Sequence, residues 1–158
     1  MSDAPVEHVA SVVCEVPAAE ALAFMADGIA LGEWALGAWA AMPVAAAATV
    51  PAGVVRGHSL FDDQPSWVRP VADERRMRID YHVGSDPTSL TPRIFARVEA
   101  LPAGPDGRAR SSISLHATRS PDMSDARWLR LVRCHEVEVL LIEGRLALRA
   151  AQADAPGH

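Results

Sequence analysis

The sequence predicts an α+β fold: a curved antiparallel sheet of about six to seven strands around a long C-terminal helix, with two short helices after the first strand. Three observations predict it. Residues 76–83, 93–101 and 110–119 alternate apolar and polar side chains with period two, the pattern of half-buried antiparallel strands. Proline-, glycine- and aspartate-rich stretches separate them, so neighbours in sequence pair antiparallel. Residues 123–151 contain no proline and one glycine, Gly144, and read as a single helix. Its apolar stripe needs a sheet face to bury against, and the sheet must curve to supply one.

Each element follows in order. Residues 8–16 are rich in β-branched side chains and end at Pro17, a strand. Residues 17–27 form a short helix anchored by Leu22, Phe24 and Met25 and stopped by Gly28. A second helix over 29–36 holds Trp34 and closes at Gly37. Residues 39–44 and 54–61 are strands, and the small-residue stretch 45–53 between them is a loop or a strand end. Asp62-Asp63-Gln64-Pro65 turns the chain into a strand over 66–71, and Asp73-Glu74-Arg75 turns it again. In the strand 76–83, Met77, Ile79, Tyr81 and Val83 share one face. Ile94, Ala96, Val98 and Ala100 share a face of the next strand. Ile113, Leu115 and Ala117 do so in the last. Asp122 or Ser124 caps the final helix.

Composition narrows the functional classes. A chain of 158 residues suits one domain, expected over 6–149 with flexible termini at 1–5 and 150–158. A net charge of −5 with no basic stripe argues against nucleic acid, and no polybasic segment addresses anionic lipid. Residues 1–7 lack the apolar core of a signal peptide, and the apolar run 39–51 is too short to cross a bilayer. We therefore expect a cytoplasmic protein without membrane insertion. All 15 basic residues are arginine, which bars a Schiff-base lysine. Cys14 and Cys134 read as small apolar residues rather than a disulfide.

The opening strand ending in Val16-Pro17-Ala18, the two short helices with Trp34, the meander with Asp80-Tyr81-His82-Val83-Gly84 and the helix over 128–148 together resemble the START-like, or helix-grip, superfamily (SRPBCC). That superfamily includes pollen-allergen-type proteins, lipid-transfer START domains and polyketide cyclase/dehydratase-like proteins, and the chain is most similar to its small bacterial members. The resemblance spans residues 6–148. It implies a cavity between sheet and helix that binds lipids, hormones or polyketides, or acts on them. It carries no catalytic signature, so it implies the fold and leaves the activity open.

At 100° per residue, Trp128, Val132, His135, Val139, Ile142 and Leu146 fall on one stripe of the long helix, with Leu131 beside it. His135 is central. It is either a core histidine with a hydrogen-bond partner or a general acid/base in the cavity. Tyr81, the only tyrosine, is either a core residue with a satisfied hydroxyl or a group that holds a ligand oxygen. The candidate ligand-binding residues are Trp34, Trp67, Ile79, Tyr81, Trp128, His135 and Val139. Trp39 and the other tryptophans have plain core packing as their alternative. His58, His82, His116 and Asp80 follow no metal-ligand spacing, so we expect no metal and no cofactor. Glu33, Glu136, Glu138 and Glu143 read as solvated or arginine-paired carboxylates, one of which could act as a base at a cavity rim. No GxSxG, P-loop or GxGxxG motif is present.

Three readings follow. The first is a binder of a small apolar or aromatic molecule in the cavity. The second is a cyclase/dehydratase-like enzyme on a polyketide or other carbonyl compound, with His135 moving a proton and Tyr81 holding the enolate oxygen. The third is an interaction role. It rests on Val137, Leu140, Leu141 and Leu148, apolar side chains on the outer face of the long helix and a candidate homodimer surface.

Overall fold

The computed structural model describes residues 4–155, so the outer parts of the expected flexible termini, 1–3 and 156–158, lie outside the described residues. Strand β1 (Glu7–Cys14) opens the chain, followed by helices α1 (Ala18–Ala26) and α2 (Gly28–Leu31). Then come β2 (Trp39–Pro43), β3 (Val55–His58), β4 (Pro65–Asp73), β5 (Arg78–Gly84), β6 (Thr91–Leu101) and β7 (Arg110–Thr118), and helix α3 (Asp125–Ala153). The seven strands form one antiparallel sheet in the order β1-β7-β6-β5-β4-β3-β2. Strands β2 to β7 form the expected meander. β1 closes onto the far edge through a register that pairs Glu7 with Thr118 and Cys14 with Ser111.

The period-two strands bury the faces their patterns specify. Ile79 and Tyr81 of β5, Ala96 and Val98 of β6, and Ile113, Leu115 and Ala117 of β7 are buried. Val83 and Ile94 are half-buried, and two residues depart from the pattern: Ala100 is exposed near the end of β6, and Met77 precedes β5. It adopts a positive φ of 52° in the turn before β5, and its carbonyl accepts the Val98 N–H at 2.9 Å, so it caps the strand rather than belonging to it. On α3, His135, Val139, Ile142 and Leu146 are buried as the stripe requires. Ser124 is the cap: its side chain accepts the Arg127 N–H at 3.2 Å. The helix continues through Ala153, so residues 150–153 of the expected tail are helical.

Two elements are shorter than the sequence suggests. Helix α2 is one turn, not eight residues, because Gly32 lies against β2. A Cβ on Gly32 would stand 2.2 Å from the Ala41 nitrogen, and its carbonyl accepts the Ala40 N–H at 2.9 Å. Strand β3 ends at His58, where Ser59 N–H turns to the Gln64 carbonyl at 2.9 Å. The segment 32–38 is thereby folded over β2 and β3. It is also tied to α3: Arg149 pairs with Glu33, and Leu36 N–H donates to the Glu138 carboxyl at 3.0 Å. Helix α3 approaches β1 and β7 most closely, which leaves space between its N-terminal half and strands β4 to β6.

Candidate functional site

That space is a cavity of about 280 Å³. Its sheet wall is Ser66 and Val68 of β4, Tyr81 and Val83 of β5, and Arg93 and Ile94 of β6. Residues 31–38 cover one side with Leu31, Trp34, Ala35 and Ala38, and Phe61 projects from the turn before β4. Helix α3 supplies Arg127, Arg130, Leu131, Cys134, His135 and Glu138, residues three and four apart and so on one face. Most of the wall is apolar, with a few polar groups, the usual constitution of a small-molecule pocket.

Of the sequence candidates, Trp34, Tyr81 and His135 meet at this cavity. Ile79 and Val139 are fully packed in the core beside it. Trp67 and Trp128 are half-buried and lie off its wall. The alternation of β4 explains Trp67: Val68 takes the inner face, so Trp67 points out, where the Arg56 guanidinium of the paired strand sits 5.6 Å over its ring. Among the described residues no three metal-ligating side chains cluster.

Trp34 is almost fully buried and meets Tyr81 edge to face, with centroids 5.9 Å apart. The Tyr81 hydroxyl donates to the Met25 carbonyl at 2.6 Å, so its proton is already engaged with helix α1. Burial, and secondly the nearby Glu138 carboxyl, hold that hydroxyl well above the usual tyrosine range. The ring therefore offers the cavity an apolar edge rather than a free acid.

Glu138, which the sequence presents chiefly as a solvated or arginine-paired carboxylate, is the second polar group of the site. It is buried on α3, three residues after His135 and four before Ile142. One carboxyl oxygen accepts the Leu36 N–H, and the other stands 4.0 Å from His135 Nε2. Burial pushes Glu138 up to about 8, against the opposing pull of the Leu36 hydrogen bond. Burial, helped by the charge of His8, pushes His135 down to about 4. The separation is too long for a hydrogen bond, and burial favours the uncharged form of each group, which works against an ion pair between them. Among the described residues, His135 Nδ1 and Trp34 Nε1 are buried without a hydrogen-bond partner. The site thus combines an apolar wall with one carboxylic acid and one imidazole that can exchange hydrogen bonds or a proton with a bound molecule.

No protein-family model matches the chain, and no curated protein matches it significantly. Solved structures do. The Zhui aromatase/cyclase from Streptomyces sp. R1128 is similar with a TM-score of 0.61 at 16% identity, over 97% of this chain and 100% of that one. A protein from Thermus thermophilus is similar at 0.57 and 14%, over 95% and 100%. The allergen Ara h 8.0201 is similar at 0.52 and 17%, over 91% and 99%. At these identities the likeness speaks for the backbone alone, and the backbone has the START-like helix-grip fold.

Proposed function

We propose that the protein binds a small apolar or aromatic molecule in the cavity between the sheet and α3. The observation that carries this reading is the cavity itself: about 280 Å³, walled by Trp34, Val68, Tyr81, Val83 and Ile94, with the Glu138–His135 pair as its polar inner feature. A volume just below the roughly 300–1,000 Å³ usual for ligand pockets fits a compact compound of one to three rings better than a two-tailed lipid. Native mass spectrometry of the protein purified from its own host, beside a denatured sample, tests it. A co-purifying small molecule released on denaturation supports the reading; a bare chain mass that no apolar probe shifts contradicts it.

A second reading, proton transfer on a carbonyl compound, draws support from the position of Glu138 beside His135 on the cavity wall. Its test is deuterium incorporation next to the carbonyl of an aryl ketone in D2O. Wild type would exchange faster than the buffer alone, and His135→Gln would not.

We further propose a homodimer through the outer face of α3, where Val137, Leu140 and Leu148 are exposed, while Leu141 is half-buried against the core. Light scattering of wild type and Leu140→Arg checks it, the variant alone running as a monomer. The reading includes a cytoplasmic setting, in which the unpaired thiols Cys14 and Cys134 stay reduced.

A further inference from the structure

The acidic chain gathers positive charge at one place on the cavity wall. Arg93 of β6 and Arg127 and Arg130 of α3 all line the cavity and are all exposed, so they stand where it meets solvent. Among the described residues none of the three forms an ion pair with a carboxylate, whereas Arg76, Arg78, Arg108, Arg119, Arg133 and Arg149 each do. The Arg130 guanidinium lies 5.2 Å over the ring of Phe61, which also lines the cavity, so stacking holds it there. Among the described residues the only carboxyl in the wall is Glu138, which is buried further along the helix face and makes no ion pair with these arginines. Along that face α3 grades from Arg127 and Arg130 at the solvent end, through Leu131 and Cys134, to His135 and Glu138 inside.

We propose that the ligand is an amphipathic anion. Its compact apolar body would lie against Trp34, Val68 and Tyr81. Its single carboxylate or phosphate-type head would be held at the mouth by Arg93, Arg127 and Arg130. The inference rests on the cavity-binding reading above and adds the chemical class of the ligand. Planar guanidinium groups match both oxyanions bidentately and are charged at every physiological pH, so the head group needs no titration of the protein to be recognised. The opposite polarity, with the anion inside, would bury a negative charge in a desolvated pocket away from the three arginines that could pair with it, which is disfavoured.

The test compares two fluorescent probes that share their rings: 1-anilinonaphthalene-8-sulfonate, which is anionic, and N-phenyl-1-naphthylamine, which is neutral. The expected result is that the sulfonate binds at least about tenfold tighter at low salt and loses that advantage at high salt. Arg93→Gln, Arg127→Gln and Arg130→Gln each weaken the sulfonate about three- to fivefold and leave the neutral probe unchanged. The control Arg97→Gln, off the cavity wall, alters neither. Displacement of the sulfonate by 1-naphthoate or by 1-naphthyl phosphate then ranks carboxylate against phosphate. Equal affinity for the two probes, or a sulfonate preference that survives all three substitutions, overturns the inference and leaves the cavity reading standing. Failure of both probes to bind overturns the cavity reading and the inference with it. The three arginines are exposed, so unchanged melting temperatures confirm that the variants are folded.

Discussion

Glu138 is a carboxyl kept in apolar surroundings by one backbone N–H from Leu36. Between its ordinary 4.5 and about 8, the folded chain holds a proton on Glu138 that the unfolded chain has released, so stability falls as pH rises through that window. His135 acts oppositely. Between about 4 and 6.5 the unfolded chain binds a proton that the fold does not, so stability rises with pH. The two slopes oppose each other up to about pH 6.5, and above it the Glu138 contribution remains. Urea denaturation at pH 6.5 and 8 should therefore show wild type losing on the order of 1–2 kcal/mol. Glu138→Gln, which keeps an acceptor for Leu36, should lose little. Tyr81 gives a second prediction. Tyr81→Phe leaves the Met25 carbonyl without its donor in the core and should cost about 1–3 kcal/mol. Ligand affinity should change little, because the ring remains and the hydroxyl is turned toward α1. His135 and Tyr81 were legible from helical and strand periodicity. Glu138 was not, because a glutamate on a helix reads as solvated unless something covers it. The cover is the 32–38 segment, which is distant in sequence, although the spacing to His135 and Ile142 already placed Glu138 at the edge of the buried stripe.

At the scale of elements, local pattern carried furthest where one face is wet and the other dry. Strands β5, β6 and β7 could be read directly, and so could the buried stripe of α3. The inner faces of β3 and β4 could not, because Val55 and Gly57 alternate with Arg56 and His58 over only four residues. The early end of α2 was also hidden. Nothing local distinguishes Gly32 from a helix interior until β2 is laid against it. Gly57 makes the same point. A Cβ there would lie 2.4 Å from the backbone carbonyl carbon and oxygen of Ala38, so β3 and the segment covering the cavity touch through bare backbone. Gly57→Ala should push that segment outward, cost about 1–3 kcal/mol in thermal or urea unfolding, and weaken binding of an apolar probe. A stability unchanged within a few tenths would mean that the close approach relaxes without consequence.

The whole molecule gets its cavity from an unequal fit between sheet and helix. α3 packs on β1 and β7, is tied to the 32–38 segment through Glu33–Arg149 and Leu36–Glu138, and stands away from β4 to β6. The meander of β2 to β7 and the single closing helix were legible in the sequence; the return of β1 to the edge beside β7 and this stand-off were not, because both depend on how far the sheet curves. The competing account places function on the outer face of α3, with the interior serving only as core. Methyl NMR of isoleucine-, leucine- and valine-labelled protein, titrated with N-phenyl-1-naphthylamine, separates the two most directly. Binding in the cavity gives saturable shifts concentrated at Leu31, Val68, Val83, Ile94 and Leu131, the aliphatic side chains of the cavity wall. Shifts confined to Val137, Leu140 and Leu148, or no saturable shift anywhere, would contradict it.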